Sequence, residues 1–293
     1  MDPLKIHSTP ATFRRPIMIL AFTGWNDAAE SATTAARYLT ASFSGEKFAE
    51  IDPEEFYHFG LSRPYTRFKT GSETEKEIIW PATEFSISQS ADLPRDVIVG
   101  VAPEPHLRWR TYCETLIELA RRCEVTLVLT LGALLAEVPH TKPVRLVGSA
   151  SDPELAARFG LRPSRYEGPT GIIGVLNSLC RDRELPAASL WANVPHYISG
   201  IENPKASLAL VKRVLSLLGA EADLSDLDEA GKQFDQNLKE IVAQNAQIKN
   251  YIAKLEAKDT EEEPGAAPSQ SDLPPASELV AEIEQFLRQQ RPE

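Results

Sequence analysis

Ile17-Met18-Ile19-Leu20-Ala21-Phe22 is an unbroken apolar run, closed by Thr23-Gly24-Trp25-Asn26-Asp27. A strand with one wet face alternates apolar and polar residues. A run without alternation suits a strand covered on both faces, as in a parallel sheet. The alanine-rich segment from Ala28 to Leu39 then reads as a helix, with Asn26 or Asp27 as its N-cap. Strand, glycine turn and capped helix open an α/β unit. The remaining chain must supply the elements that cover both faces.

The rhythm resumes downstream. Asp96 to Val101 and Val125 to Leu131 read as strands, with a helix from Leu107 to Cys123 between them. Val144 to Val147 is a short strand. Asp152-Pro153-Glu154 opens a helix with Asp as cap and Pro in the first turn. Gly168-Pro169-Thr170-Gly171 opens another, Pro186 to Trp191 is a strand, and Asn203-Pro204 starts a helix that Gly219 ends. Residues 40–92 read as strands and loops, with a Gly71-Ser72 turn between Arg63–Lys69 and Glu75–Trp80. This alternation predicts one three-layer αβα domain over residues 10–219, built on a mainly parallel sheet.

The tail differs in kind. Residues 220–258 have helical composition. Leu227, Phe234, Ile241, Ile248 and Leu255 recur every seventh residue, with Gly231, Leu238, Asn245 and Ile252 four residues after each. That is a heptad seam with a polar residue at Asn245. It suits an amphipathic helix packed on its own domain, or an oligomer or partner seam. Residues 259–276 read as a flexible acidic linker and residues 277–290 as a short amphipathic helix.

Charge narrows the partners. Forty-two acidic against 31 basic residues give a net charge of -11. Phosphate backbones and acidic membranes need a basic face, so neither nucleic acid nor membrane is an expected partner. Three cysteines, Cys113, Cys123 and Cys180, form no CxxC pair and no disulfide framework. The N-terminal residues show no basic segment leading into an apolar run, and no span is expected, so the expected compartment is the cytoplasm.

Polar residues cluster after the expected strands, where open α/β sheets bind ligands. They are Asn26 and Asp27, Glu104, His106, Arg108 and Arg110, His140 and Thr141, Glu167 and Thr170, and His196 and Tyr197. Asp27 reads first as a helix cap. Val138-Pro139-His140 and Val194-Pro195-His196 are two matching turns, each able to aim a histidine at one crevice or to hold its own turn. The helix start at Gly168 to Gly171 offers N–H groups to an anion, although Glu167 would repel it. GxGxxG, GxxxxGK[ST], GxSxG and HExxH are absent, so no cofactor and no metal are expected.

Four stretches carry a resemblance: Gly24-Trp25-Asn26-Asp27-Ala28-Ala29, the segment Gly132 to Thr141, Tyr166-Glu167-Gly168-Pro169-Thr170-Gly171, and the segment Ser189 to Tyr197. In this order they resemble the bacterial branch of the PAC2 family, named for proteasome assembly chaperone 2. The resemblance implies a three-layer α/β fold similar to phosphorylase/hydrolase folds. It also implies homo-oligomerisation, a trimer being one option, and protein binding during assembly. Assembly-chaperone relatives carry a terminal hydrophobic–Tyr–any signature, which Gln290-Arg291-Pro292-Glu293 does not match. The leading expectation is a non-enzymatic scaffold or assembly chaperone. The alternative is a protein that binds or converts a nucleoside or phosphometabolite through His140, His196, Glu167 and Arg108.

Overall fold

The structure, a computed structural model, describes residues 2–161, 166–198, 200–244 and 246–261. In chain order the strands are β1 (Leu4–Ile6), β2 (Ile17–Thr23), β3 (Glu46–Ile51), β4 (Tyr65–Phe68), β5 (Lys76–Ile79), β6 (Thr83–Ser88), β7 (Val97–Pro103), β8 (Leu127–Ala136), β9 (Leu146–Ala150) and β10 (Ala187–Pro195). The helices are α1 (Ser31–Ser42), α2 (Trp109–Arg122), α3 (Pro153–Arg158), α4 (Ile172–Asp182), α5 (Pro204–Leu218), α6 (Ser225–Gln244) and α7 (Ala246–Glu261).

Eight strands form one sheet in the order β1-β3-β6-β7-β2-β8-β10-β9. The four central strands, β7, β2, β8 and β10, run parallel. The flanking pairs are antiparallel, so the sheet is parallel at its centre and mixed at its edges. Strand β2 explains its own sequence. Met18, Leu20 and Phe22 join the core beneath α2 and α4, while Ile17, Ile19 and Ala21 join the core beneath α1 and α5. The layers are therefore helices, sheet, helices. Strands β4 and β5 stand apart as a two-stranded hairpin with no buried residue. Among the described residues no helix is long and apolar enough to cross a membrane.

The local start signals act as their chemistry requires at two helices. Asp152 accepts from Leu155 N at 2.8 Å and Asn203 Oδ1 accepts from Ala206 N at 3.1 Å. Helix α1 starts three residues later than its alanines predict. Ala29 and Glu30 take left-handed backbone angles (φ 53° and 51°) in a tight 3₁₀ turn, and the helix begins only at Ser31. Asp27 caps across this turn. Its Oδ1 accepts from Ala32 N at 2.6 Å and from Thr33 N at 3.3 Å, and its Oδ2 accepts from Thr33 Oγ1 at 2.5 Å. Burial pushes the Asp27 carboxyl up, against the pull of the Thr33 and Ala32 bonds.

The tail seam faces its own body. Phe234, Leu238, Ile241, Ile248, Ile252 and Leu255 are buried in one cluster with Tyr197 and Ile198, and Leu227 joins the core beneath α5. The oligomer or partner seam is thus occupied within the chain. Asn245, most of the linker expected over 259–276, and the helix expected over 277–290 lie outside the described residues. Residues 259–261 belong to α7.

Asp27 closes three bonds at the start of α1, so Asp27→Ala should lower unfolding free energy by about 2 kcal/mol. Asp27→Asn, which keeps an acceptor, should lose less. Urea denaturation of the three proteins measures both, and equal stability of the alanine variant would contradict the capping role.

Candidate functional site

The carboxyl ends of β2 and β7 lie side by side, and their helices leave toward opposite faces of the sheet. Such a switch point is where open α/β sheets form a ligand crevice. Here the protein's own groups fill it. Gly24 (φ 99°) turns the chain after β2, and Asn26 then accepts from Ala133 N through its carbonyl at 2.9 Å. Asn26 Nδ2 donates to Glu104 Oε1 at 2.7 Å, and Ile172 N donates to the same oxygen at 2.8 Å. Glu104 therefore takes the place of an anion at the start of α4, where free N–H groups and the helix dipole favour negative charge.

That geometry occupies with Glu104 the helix start that Gly168 to Gly171 was expected to offer to an outside anion, beside Glu167 and Thr170. Both of these residues are exposed, and Thr170 Oγ1 makes only a 3.4 Å bond to the Gly171 carbonyl. Gly171 must remain small. A Cβ there would stand 2.3 Å from Asn26 Oδ1 and 2.8 Å from Glu104 Oε1. The same Asn26 Oδ1 is buried and is reached by no hydrogen bond.

His106 lies at the edge of this region. Its backbone N–H donates to Phe56 O at 2.9 Å, and its Nδ1 accepts from His58 N at 3.3 Å. Arg108, with φ of 54°, precedes α2 and pairs with Glu55 at the surface. Arg110 is exposed. At these same strand ends an open groove of about 520 Å³ is lined by Gly24, Leu61, Glu104, His106, Leu107 and Trp109, among others.

The two Val-Pro-His turns follow β8 and β10 and meet around Tyr197. His140 N donates to the Tyr197 hydroxyl at 2.8 Å, and His140 Nδ1 lies 2.8 Å from the same oxygen. A hydroxyl that accepts from the backbone still has its own hydrogen for Nδ1. That arrangement suits the His140 tautomer with hydrogen on Nε2. Burial, together with nearby Lys205, holds its pKa down to about 4. His196 Nδ1 lies 3.1 Å from the Ala136 carbonyl, which assigns its hydrogen there, and Nε2 is then free to accept from the Tyr251 hydroxyl at 2.9 Å. Thr141 bonds Glu256, and Lys258 pairs with Glu137 at 2.8 Å. These groups clip α7 to the sheet ends.

The proposed joint crevice of His140, His196, Glu167 and Arg108 is therefore corrected. The histidines sit in structural bonds, Arg108 is spent on Glu55, and Glu167 is exposed. Cys180 and Cys113 are buried, and burial pushes both thiols up to about 12, far from the thiolate that nucleophilic chemistry needs. Among the described residues no group of three or more His, Cys, Asp or Glu could hold a metal ion. Sequence reasoning missed Lys205, which donates to the His140 carbonyl at 2.8 Å and pairs with Asp235 of α6 at 2.7 Å. It also missed Tyr251. Tyr251 lay off the seam, and no local pattern joins Lys205 to Asp235, thirty residues on.

Gly171→Ala should cost about 2 kcal/mol, because the buried Asn26 and the Glu104 carboxylate bonded to it leave the new methyl no room. Unchanged stability in denaturant would contradict the contact. His140 gives a pH signature. Neutral when folded down to about pH 4, it takes a proton near 6.5 when unfolded. Between those values the unfolded chain binds the extra proton, so stability falls as pH falls and levels off below about 4. The full effect is about 3 kcal/mol. His140→Gln should remove that share of the acid sensitivity, measured as unfolding free energy at pH 7 against pH 4.5. An unchanged pH dependence would contradict it.

Comparisons agree with this architecture. No curated protein matches the chain. The family model described as the PAC2 family matches residues 21–242. A PAC2 family protein from Streptomyces avermitilis is 40% identical with a TM-score of 0.75, the match covering 80% of this chain and 99% of that one. A proteasome-assembly chaperone homologue from Mycobacterium tuberculosis is 39% identical with a TM-score of 0.73, over 80% of this chain and 99% of its own. An archaeal proteasome activator from Pyrococcus furiosus, 18% identical with a TM-score of 0.65 over 82% and 99%, shares the fold. The chain belongs to the PAC2 family.

Proposed function

We propose that this protein is a non-enzymatic, assembly chaperone-like scaffold that works in the cytoplasm and binds other proteins, including copies of itself, through one apolar surface. The surface comprises the groove at Leu61, Leu107 and Trp109 and the β4–β5 hairpin. The carrying observation is what that region leaves in water. Leu61 is 72% exposed, and Tyr65, Phe68, Ile78, Trp80 and Leu107 are exposed as well. Exposed apolar side chains concentrated in this way mark interaction surfaces. An isolated two-stranded hairpin is marginal in water, so a hairpin without a buried residue gains most when another chain covers it.

Other observations support the reading. Glu104 is bonded to Asn26 and to the first amide of α4, and His140, His196 and the cysteines are held in structural roles. The chaperone homologue that this chain resembles over four fifths of its length suggests partners met during assembly. The inward-facing tail seam moves the partner surface away from α6 and α7.

Phe68→Ser combined with Ile78→Ser should abolish self-association measured by light scattering, and deplete partners recovered by pull-down and identified by mass spectrometry. The melting temperature should change little, because both side chains are exposed. Retention of both oligomer and partners by the folded double variant would overturn the proposed surface.

A further inference from the structure

Residues 262–293 lie outside the described residues, but the structure shows where they are tethered. Helix α7 runs to Glu261, and its last turns are tied to the end of β8. Glu256 bonds Thr141, and Lys258 pairs with Glu137 at 2.8 Å. Four residues back along β8, about 13 Å of strand, Ala133 N donates to the Asn26 carbonyl. Asn26 stands two residues from Gly24, which lines the open groove at the ends of β2 and β7. The chain therefore leaves the body on the same edge of the sheet as that groove.

Two apolar faces meet the conditions for a match. Leu61, Pro103, Pro105, Leu107 and Trp109 line the groove, and Leu61 and Leu107 are exposed there. In the sequence, Leu279, Ile283, Phe286 and Leu287 fall on one stripe when 277–290 is helical. Anchors at that spacing are how an amphipathic helix lies in a groove. The α6–α7 seam is already packed on Tyr197 and Ile198, so it does not take this stripe.

Charge agrees with the match. Residues 262–293 hold seven acidic residues and two basic ones. Arg63 and Arg110 adjoin the groove residues Ser62 and Trp109, are exposed, and form no ion pair among the described residues. His58 and His106 line the groove, and each accepts a backbone N–H at Nδ1, from Gly60 at 3.2 Å and from His58 at 3.3 Å. That arrangement suits hydrogen on Nε2, a donor for a carboxylate. Glu104 of the same wall is already bonded to Asn26 and to the first amide of α4. Reach is sufficient as well. The fifteen residues 262–276 are rich in Pro, Gly, Ala and Ser. A linker of that length spans about 20 Å. Tethering gives an effective concentration on the order of millimolar, so a contact too weak to join separate molecules is populated within one chain.

We propose that residues 277–290 dock as an amphipathic helix in the groove of their own chain, with Leu279, Ile283, Phe286 and Leu287 against Leu61, Leu107 and Trp109. This rests on the reading of that groove as a docking surface, and it adds the occupant present when no partner is bound. A docked tail keeps copies of the protein off the groove.

The test places the photo-reactive analogue p-benzoylphenylalanine in place of Phe286 in the full-length protein and maps its crosslinks by mass spectrometry. Crosslinks are expected within single chains, to residues 58–62 and 103–109. Leu61→Glu combined with Leu107→Glu should cut their yield by about tenfold, because two apolar contacts are lost. Both side chains are exposed, so this protein should fold, as an unchanged melting curve would verify. Crosslinks between chains would overturn the own-chain occupant. Crosslinks elsewhere on the body, or none, would overturn the groove. Light scattering gives a second measurement. Ile283→Glu combined with Phe286→Glu should tighten self-association by about threefold or more, since the tail no longer competes for the surface. Unchanged or weaker association would overturn the covering role. If the crosslinks stay in the groove while Phe68→Ser with Ile78→Ser leaves self-association intact, the tail contact stands and the partner surface falls.

Discussion

One carboxylate oxygen organises the end of the sheet where function would be sought. Glu104 Oε1 receives hydrogen bonds from Asn26 Nδ2 and from the first amide of α4. Both bonds are assisted by the charge on the acceptor, and both are partly buried. Asn26 in turn accepts from Ala133 through its carbonyl, so the ends of β7, β2 and β8 and the start of α4 share one small network. The network places Gly171 within a methyl's width of two oxygens. It also spends the helix N-terminus on an internal anion, which removes the feature that would have held a substrate phosphate.

The second pair of strand ends, β8 and β10, is used differently. There His140, His196, Tyr197 and Tyr251 form a hydrogen-bonded aromatic clip that seats α7, and Lys205 ties the His140 carbonyl to α6. The histidines serve as neutral struts. The tail is thereby part of the body, and its apolar stripe is consumed on Tyr197 and Ile198. The β4–β5 hairpin and the groove leave a group of large apolar side chains exposed, among them Leu61, Phe68, Ile78 and Trp80.

The legible parts of the fold were those written in local chemistry. Strand β2 could be read because burial on both faces removes alternation, and α3 and α5 because Asp152 and Asn203 precede prolines. The start of α1 was misread. Ala28, Ala29 and Glu30 have ordinary helix propensities, yet the chain turns through two left-handed residues while Asp27 caps from five positions ahead of Ala32. The heptad seam was visible as a stripe, but a stripe does not name what it faces, and Tyr197 is far away in sequence. The candidate site was legible as a collection of strand-end residues and illegible as chemistry. Whether Glu104 holds a ligand or caps α4 depends on a partner 68 residues away. The exposed apolar residues of the hairpin carried no local sign of being uncovered.

The central claim is that partner proteins meet the hairpin and its adjoining groove, with the tail seam buried. Hydrogen–deuterium exchange of the full-length protein, alone and in complex with a partner recovered from its native lysate, tests this directly. The account predicts slower exchange on binding across residues 61–80 and 103–109, with no change over 227–255. Protection confined to the tail, with residues 61–80 exchanging as in the free protein, would contradict it.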